Sequence, residues 1–230
     1  MNVILFGATG MIGQGVLREC LREPEVQRVQ SVGRSPTGAR HPKLREIVHR
    51  DLWDYSAILA DLSGFDACFF CLGVSAAGMP EAAYERVTYG ITMAAAEALA
   101  KLNPQMTFVY VSGAGTDSSE RGRARWARVK GKTENALLRL PFRAAYMFRP
   151  GLIQPVHGVK SKTAWYRFFY AAARPLLPLL RRAFPRQILT TEEMGQAMLA
   201  VARWGAPKAV LESKDIRAVL VSAVAHHPPA

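Results

Sequence analysis

The sequence predicts a doubly wound α/β fold, a parallel sheet with helices on both faces. Three observations predict it. Short apolar, β-branched runs alternate with longer helical patterns from the first residues to Gly151. A glycine-rich turn, Gly7-Ala8-Thr9-Gly10-Met11-Ile12-Gly13, joins the first run to the first helix. Half of the 230 residues are apolar and 21% are charged, a balance that buries a core and does not suit a disordered chain.

Taken in order, Asn2–Phe6 reads as a buried strand and Met11–Arg22 as an amphipathic helix. Val26–Val32 alternates like a strand, and Leu44–Val48 does so more weakly. Ala57–Leu62 predicts a short helix and Ala67–Leu72 a buried strand. Glu81–Leu102 predicts one long helix, with Pro80 where a missing N–H costs nothing and Asn103-Pro104 as its stop. A strand at Thr107–Val111, a helix over Arg123–Leu140 and a strand at Ala144–Phe148 follow. After Gly151 the rhythm breaks. Residues 156–186 are basic, aromatic and proline-punctuated, with no strand signal. A helix over Glu192–Arg203, a strand at Ala209–Leu211 and a helical stretch at Asp215–Val224 close the chain before a frayed tail. The expectation is one domain over residues 1–230, with 156–186 forming a small helical lobe beside the ends of the strands.

The net charge of +12 is local. Between Arg121 and Arg186 stand sixteen Lys and Arg and a single acid, Glu134, so the remainder of the chain is slightly acidic. Three cysteines cannot build a disulfide framework, and no secretory leader precedes the first apolar run. Ala164–Phe184 carries four arginines and two prolines, whereas a membrane span needs about 20 mostly apolar residues. A reduced, cytoplasmic protein is therefore the expectation. Cys68 and Cys71 have CxxC spacing, but side chains on a strand alternate between faces, so buried thiols are expected there and no metal site.

Glycines between a first strand and a first helix allow a tight turn and let backbone approach a pyrophosphate, which rests on the positive end of the helix. Gly7, Thr9, Gly10, Met11, Ile12 and Gly13 are accordingly candidate dinucleotide contacts. The end of the second strand discriminates between cofactors. An acid there holds a ribose 2′-hydroxyl, and an arginine accommodates a 2′-phosphate. The chain reads Gly33-Arg34-Ser35, with no acid before Glu46. Arg34 can form a bidentate phosphate contact and Ser35 can add a hydroxyl, so NADP is expected ahead of NAD.

These motifs resemble the short-chain dehydrogenase/reductase superfamily, in its atypical or extended NAD(P)-binding epimerase/dehydratase-like branch, and within it the Tat-interacting-protein-like proteins. Asp51-Leu52 looks like that family's adenine-contacting pair, and Cys71-Leu72-Gly73 like the backbone flanking the cofactor. Val109-Tyr110-Val111-Ser112-Gly113 resembles the strand that delivers a catalytic serine. Arg149-Pro150-Gly151 resembles the segment near the nicotinamide, which implies contacts from Pro150, Gly151 and Ile153. The resemblance implies a Rossmann fold and an NADP(H)-linked oxidoreductase or epimerase acting on a carbonyl compound, and a hydrophobic one is expected if the apolar residues of 156–186 line its pocket.

In that family a serine orients the carbonyl, a tyrosine passes the proton, and a lysine four residues later lowers the tyrosine pKa and holds the ribose. Ser112 and Lys130 match, but the residue four before Lys130 is Trp126, whose indole donates a hydrogen bond and carries no exchangeable acid near neutrality. Two readings follow. Either another group supplies the proton, with Tyr166 the first candidate ahead of Tyr84 and Tyr89, or the protein binds NADPH as a catalytically weak regulator or sensor. His157 is a further titratable candidate after the Arg-Pro-Gly segment. Arg121, Arg123, Arg125 and Arg128 flank the site and are read as a solvated helix face.

Residues 160–186 interleave Lys160, Lys162, Arg167, Arg174, Arg181, Arg182 and Arg186 with Trp165, Tyr166, Phe168, Phe169, Tyr170 and Phe184. The first expectation is a cover over a substrate pocket, with arginines snorkelling to water. Peripheral contact with anionic lipid through residues 164–184 and an oligomer contact are alternatives. Nucleic acid ranks last, since no nucleic-acid module accompanies the basic stripe. The sequence leaves the oligomeric state open.

Overall fold

Asn2–Phe6 forms β1, and its alternate residues feed two different cores. Val3 and Leu5 pack on one side of the sheet with Phe69 and Val109, while Ile4 and Phe6 pack on the other with Phe70 and Phe108. That division explains why the strand sequences are continuously apolar: a parallel sheet covered on both faces has no solvated side. The computed structural model describes residues 1–159 and 188–226.

The remaining strands are β2 (Arg28–Gly33), β3 (Leu44–Val48), β4 (Ala67–Phe70), β5 (Thr107–Val111), β6 (Ala144–Arg149), β7 (Leu152–Gln154), β8 (Ile188–Thr190) and β9 (Val210–Glu212). Seven of them form one sheet in the order β3-β2-β1-β4-β5-β6-β9, and every neighbouring pair is parallel. Chain direction along the sheet reverses between β1 and β4, so the connections after these strands diverge and leave a crevice at their C-terminal ends.

The helices are α1 (Met11–Arg22), α2 (Glu81–Glu85), α3 (Ile91–Leu102), α4 (Arg125–Leu137), α5 (Thr191–Trp204) and α6 (Ser213–His226). Buried residues of α1, α5 and α6 belong to one core, and those of α3 and α4 join the other. The first pair meets closely because Gly15 lies against Thr191; a Cβ at Gly15 would stand 2.5 Å from the Thr191 carbonyl oxygen. Thr190 caps α5 by accepting from the Glu193 N–H at 3.0 Å, and Glu193 accepts in return from the Thr190 N–H at 2.7 Å.

Three local differences from the sequence expectation have physical causes. The helix predicted over Glu81–Leu102 contains a π-helical turn at Arg86–Gly90. Side-chain donors serve its carbonyls: the Trp53 indole N–H reaches Arg86 at 3.4 Å, and the Thr92 hydroxyl reaches Thr88 at 2.6 Å. The short helix at Ser56–Leu62 is 3₁₀. Strands β7 and β8 were absent from the sequence expectation; they pair with each other in parallel, as a separate two-stranded sheet. Most of segment 156–186 lies outside the described residues, including Tyr166 and the stretch 164–184 for which lipid contact is one alternative. Among the described residues, no helix is long and apolar enough to cross a membrane, and no group of His, Cys, Asp and Glu is placed to hold a metal ion.

Candidate functional site: a dinucleotide cleft with a serine, a tryptophan and a lysine

The C-terminal ends of β1, β2, β4, β5 and β6 open onto a cleft of about 760 Å³. Its floor is the turn between β1 and α1. Gly7 adopts φ +79°, which L side chains rarely adopt, and a Cβ there would lie 2.6 Å from the Leu72 nitrogen. The Gly10 N–H donates to the Gly7 carbonyl at 2.9 Å and α1 begins at the next residue. Thr9, Gly10, Met11 and Ile12 line the cleft, and the first turn of α1 holds no acid, so the positive end of the helix faces the space. Gly13 supports this arrangement from beneath. A Cβ at that position would lie 2.1 Å from the Gly7 carbonyl oxygen, so α1 could not sit on the turn with any side chain there.

Arg34 and Ser35, exposed at the end of β2, form one end of the cleft. Cys71, Leu72 and Gly73 line it after β4, and Pro150, Gly151 and Ile153 line it after β6. Burial pushes the Cys71 thiol far above its ordinary pKa, which keeps it protonated and inert. Among the described lining residues the charges are Arg34 and Lys130, and no carboxylate is present. Asp51 and Leu52 stand apart from this lining. Leu52 is buried beside Tyr55 and Phe65, and the Asp51 carboxylate accepts the Trp53 N–H at 3.0 Å on the surface.

Ser112, Trp126 and Lys130 all line the same cleft. Ser112 follows β5 and is 8% exposed, with its Oγ 2.9 Å from the Thr116 hydroxyl. Thr116 in turn donates to the Gly113 carbonyl at 2.8 Å. Lys130 donates from Nζ to the Val111 carbonyl at 3.5 Å and stands 5.3 Å from the centre of the Tyr110 ring. Burial pulls the Lys130 pKa down to about 8, against the opposing pull of Glu134 one turn along α4. Trp126, one turn before Lys130, lies against Gly115 and is 36% exposed.

Sequence reasoning missed the residues that hold α4 in this position. Gly131 is required, because a Cβ there would lie 1.8 Å from the Asp117 carbonyl oxygen. Glu134 and Arg149 form a buried ion pair that ties α4 to β6. Thr116 is the partner of Ser112. The one available sequence signal was the Lys130-Gly131 pair, where a small residue beside a candidate site lysine marks a close backbone approach.

The other candidates are placed elsewhere. Tyr84 is buried, with its hydroxyl pushed up by desolvation, and Tyr89 lies under the Lys132 ammonium at 4.7 Å. Among the described residues no tyrosine lines the cleft. His157, at φ +56°, sits 2.7 Å from Glu192 and outside the lining. Arg121, Arg123 and Arg125 are exposed, and Arg128 donates to Glu81 at 2.5 Å and to the Gly122 carbonyl at 2.8 Å.

Comparison with known proteins accords with this geometry. Residues 3–122 match the family described as the NAD dependent epimerase/dehydratase family. Protein FMP52-2, mitochondrial, of Scheffersomyces stipitis is 31% identical over 155 residues, covering 66% of each chain, and an Aspergillus clavatus protein, fmp52, mitochondrial, is 32% identical over 159 residues. The chain thus spans 66% of the length of these curated relatives. Their names overturn the cytoplasmic expectation, which rested on cysteine usage and on the absence of a leader and not on any homologue. Among solved structures, an oxidoreductase of the short chain dehydrogenase/reductase family from Burkholderia thailandensis superposes with a TM-score of 0.68 at 16% identity, covering 100% of this chain and 98% of that one. The Bordetella bronchiseptica enzyme WbmF, solved in complex with NAD+, superposes with a TM-score of 0.66 at 16% identity, covering 97% of this chain and 77% of that one. With its strand order, its glycine turn and this match over more than half its length, the chain belongs to the NAD dependent epimerase/dehydratase family.

Proposed function

We propose that the protein binds NADP(H) in the cleft and acts as an atypical short-chain oxidoreductase, or epimerase-like enzyme, on a small carbonyl compound. The observation that carries the reading is the charge of the cleft: Arg34 at the end of β2 and Lys130 beside Ser112, with no carboxylate among the described lining residues. Arg34 has no ionic partner among the described residues, so its guanidinium is available to a 2′-phosphate. The backbone of residues 9–12 would hold the pyrophosphate at the start of α1, and Lys130 would face the nicotinamide ribose. When bound, the reduced cofactor supplies a hydride. Ser112 then orients the substrate oxygen by turning its one hydroxyl proton from Thr116 to that oxygen, and the Trp126 indole N–H is a second donor in the same wall. The apolar lining from Leu72, Val74, Leu152 and Ile153 excludes water from the reacting end.

Direct titration tests the reading: NADPH binding tighter than NADH binding, with oxidation of NADPH by members of a panel of aldehydes, ketones and quinones, supports it. Trp126 in the proton carrier's place favours a second reading, an NADPH-binding regulator of low catalytic power. Tight NADPH binding without turnover anywhere in the panel selects that second reading.

A further inference from the structure

The cleft contains a cation in an unusual setting. Lys130 lines the same cleft as Ser112, and its ammonium donates to a neutral carbonyl, that of Val111, at 3.5 Å. The nearest acid on its own helix, Glu134, is engaged by Arg149 of β6 through Nε and Nη2. The other acids facing α4 are also engaged: Glu81 and Glu85 of α2 bind Arg128 and Lys132, Glu120 accepts from Asn135, and the Asp117 carboxylate accepts from the Ser119 hydroxyl and the Gly122 N–H. Glu97 and Lys101 of α3 are exposed to solvent. Tyr110 of β5 presents its ring to the ammonium, and burial holds its hydroxyl protonated. Among the described residues, Lys130 therefore stands in the wall without a neutralising carboxylate.

One helical turn earlier, at the position where the resembled family carries its proton-passing tyrosine, stands Trp126, which has no proton to give near neutrality. We propose that Lys130 itself is the proton donor and acceptor of the site, acting directly on the substrate oxygen that Ser112 orients. This rests on the NADP(H) reading above. In the reducing direction the carbonyl carbon gains the hydride of the reduced nicotinamide and the carbonyl oxygen gains a proton from the Lys130 ammonium. The C=O π bond is replaced by one C–H and one O–H bond, the nicotinamide is oxidised, and the neutral amine recovers a proton from water. An amine held near pKa 8 suits this task, because enough of each protonation state is present at neutral pH. The sign follows: reduction needs the ammonium, so its rate is level below about pH 8 and falls tenfold per unit well above it, whereas oxidation of the alcohol rises through the same range.

The test uses the full chain labelled with 13C at lysine Cε. Lys130, assigned by the signal missing from Lys130→Arg, titrates near pH 8 and apart from the other lysine signals; a Lys130 signal titrating together with them overturns the proposal. Steady-state reduction of the best carbonyl in the panel is measured in parallel. The wild type loses rate above about pH 8, Tyr166→Phe keeps both the rate and the profile, and Lys130→Arg, which keeps the cation but cannot release a proton, loses at least a hundredfold in rate while NADPH affinity changes little. A Lys130→Arg enzyme with wild-type rate, or a Tyr166→Phe enzyme that is the slow one, overturns the proposal and leaves the cofactor reading intact. Absence of NADPH binding by the wild type overturns the cofactor reading itself, and with it the proposal. NADPH binding without turnover on any carbonyl overturns the Lys130 role alone.

Discussion

Glu134 accepts from Arg149 through both carboxylate oxygens, with Nε at 3.0 Å from Oε1 and 3.1 Å from Oε2 and a further contact from Nη2, and the carboxylate is fully buried. This pair is the fastening between the helix that carries Trp126 and Lys130 and the strand that leads into Pro150 and Gly151. Arg149 sits in a segment that the sequence associates with the cofactor, yet its guanidinium points into the protein, toward Glu134, Ser118 and Glu212.

Removing one partner strands a buried charge. Glu134→Ala should therefore destabilise the fold by about 3–5 kcal/mol in urea unfolding. Replacing the pair by apolar residues, Glu134→Leu with Arg149→Met, should cost clearly less than the two single changes added together. Additive losses would show that the two side chains do not act as a unit.

The glycine turn makes a sharper claim. Gly7→Ala forces a side chain into φ +79° and against the Leu72 nitrogen, so it should cost about 1–3 kcal/mol in strain before any collision is relieved. NADPH binding should fall with it, since the same movement closes the floor of the cleft. Unchanged melting temperature and unchanged binding would contradict the geometry given for this turn.

In the proposed NADP(H) reading, Arg34 is the residue on which cofactor choice depends. A charge-assisted contact is worth about 1.5–3 kcal/mol, so Arg34→Ala should weaken NADPH binding roughly tenfold to a hundredfold and leave NADH binding nearly unchanged. Equal losses for both dinucleotides would mean that Arg34 contacts a group the two share.

Trp126→Tyr places a proton-carrying phenol one helical turn before Lys130, on the same face. Because Lys130 already supplies the proton on the reading above, the phenol should take over that role and move the pH profile of carbonyl reduction, without adding the roughly 10²–10⁴-fold of a first general acid. Trp126→Phe is the control, removing the indole N–H without adding a hydroxyl. A tyrosine variant with the same pH profile as the phenylalanine variant would count against the position assigned to residue 126.

The parts of this protein legible in its sequence are those governed by local pattern. Asn2–Phe6, the Gly7–Gly13 turn and Met11–Arg22 form one strand–turn–helix unit whose hydrophobic period and glycine spacing are contiguous, and Thr107–Val111 leads into Ser112 in the same way. The parts that were not legible depend on distant partners. Leu152–Gln154 is a strand only because Ile188–Thr190 pairs with it, and three residues carry no period of their own. The π turn at Arg86–Gly90 depends on Trp53, far earlier in the chain. The importance of Gly131 and Glu134 becomes visible only when α4 is pressed against Asp117 and Arg149. Asp51-Leu52 shows the reverse: the motif was legible, yet Leu52 is committed to the core and Asp51 to its own turn.

The most direct test is a calorimetric titration of the wild-type chain with NADPH and, separately, with NADH at the same salt concentration. NADPH binding at least tenfold tighter than NADH binding is the predicted result. Equal affinity, a preference for NADH, or no binding of either dinucleotide would contradict the assignment of the cleft between Arg34 and Lys130.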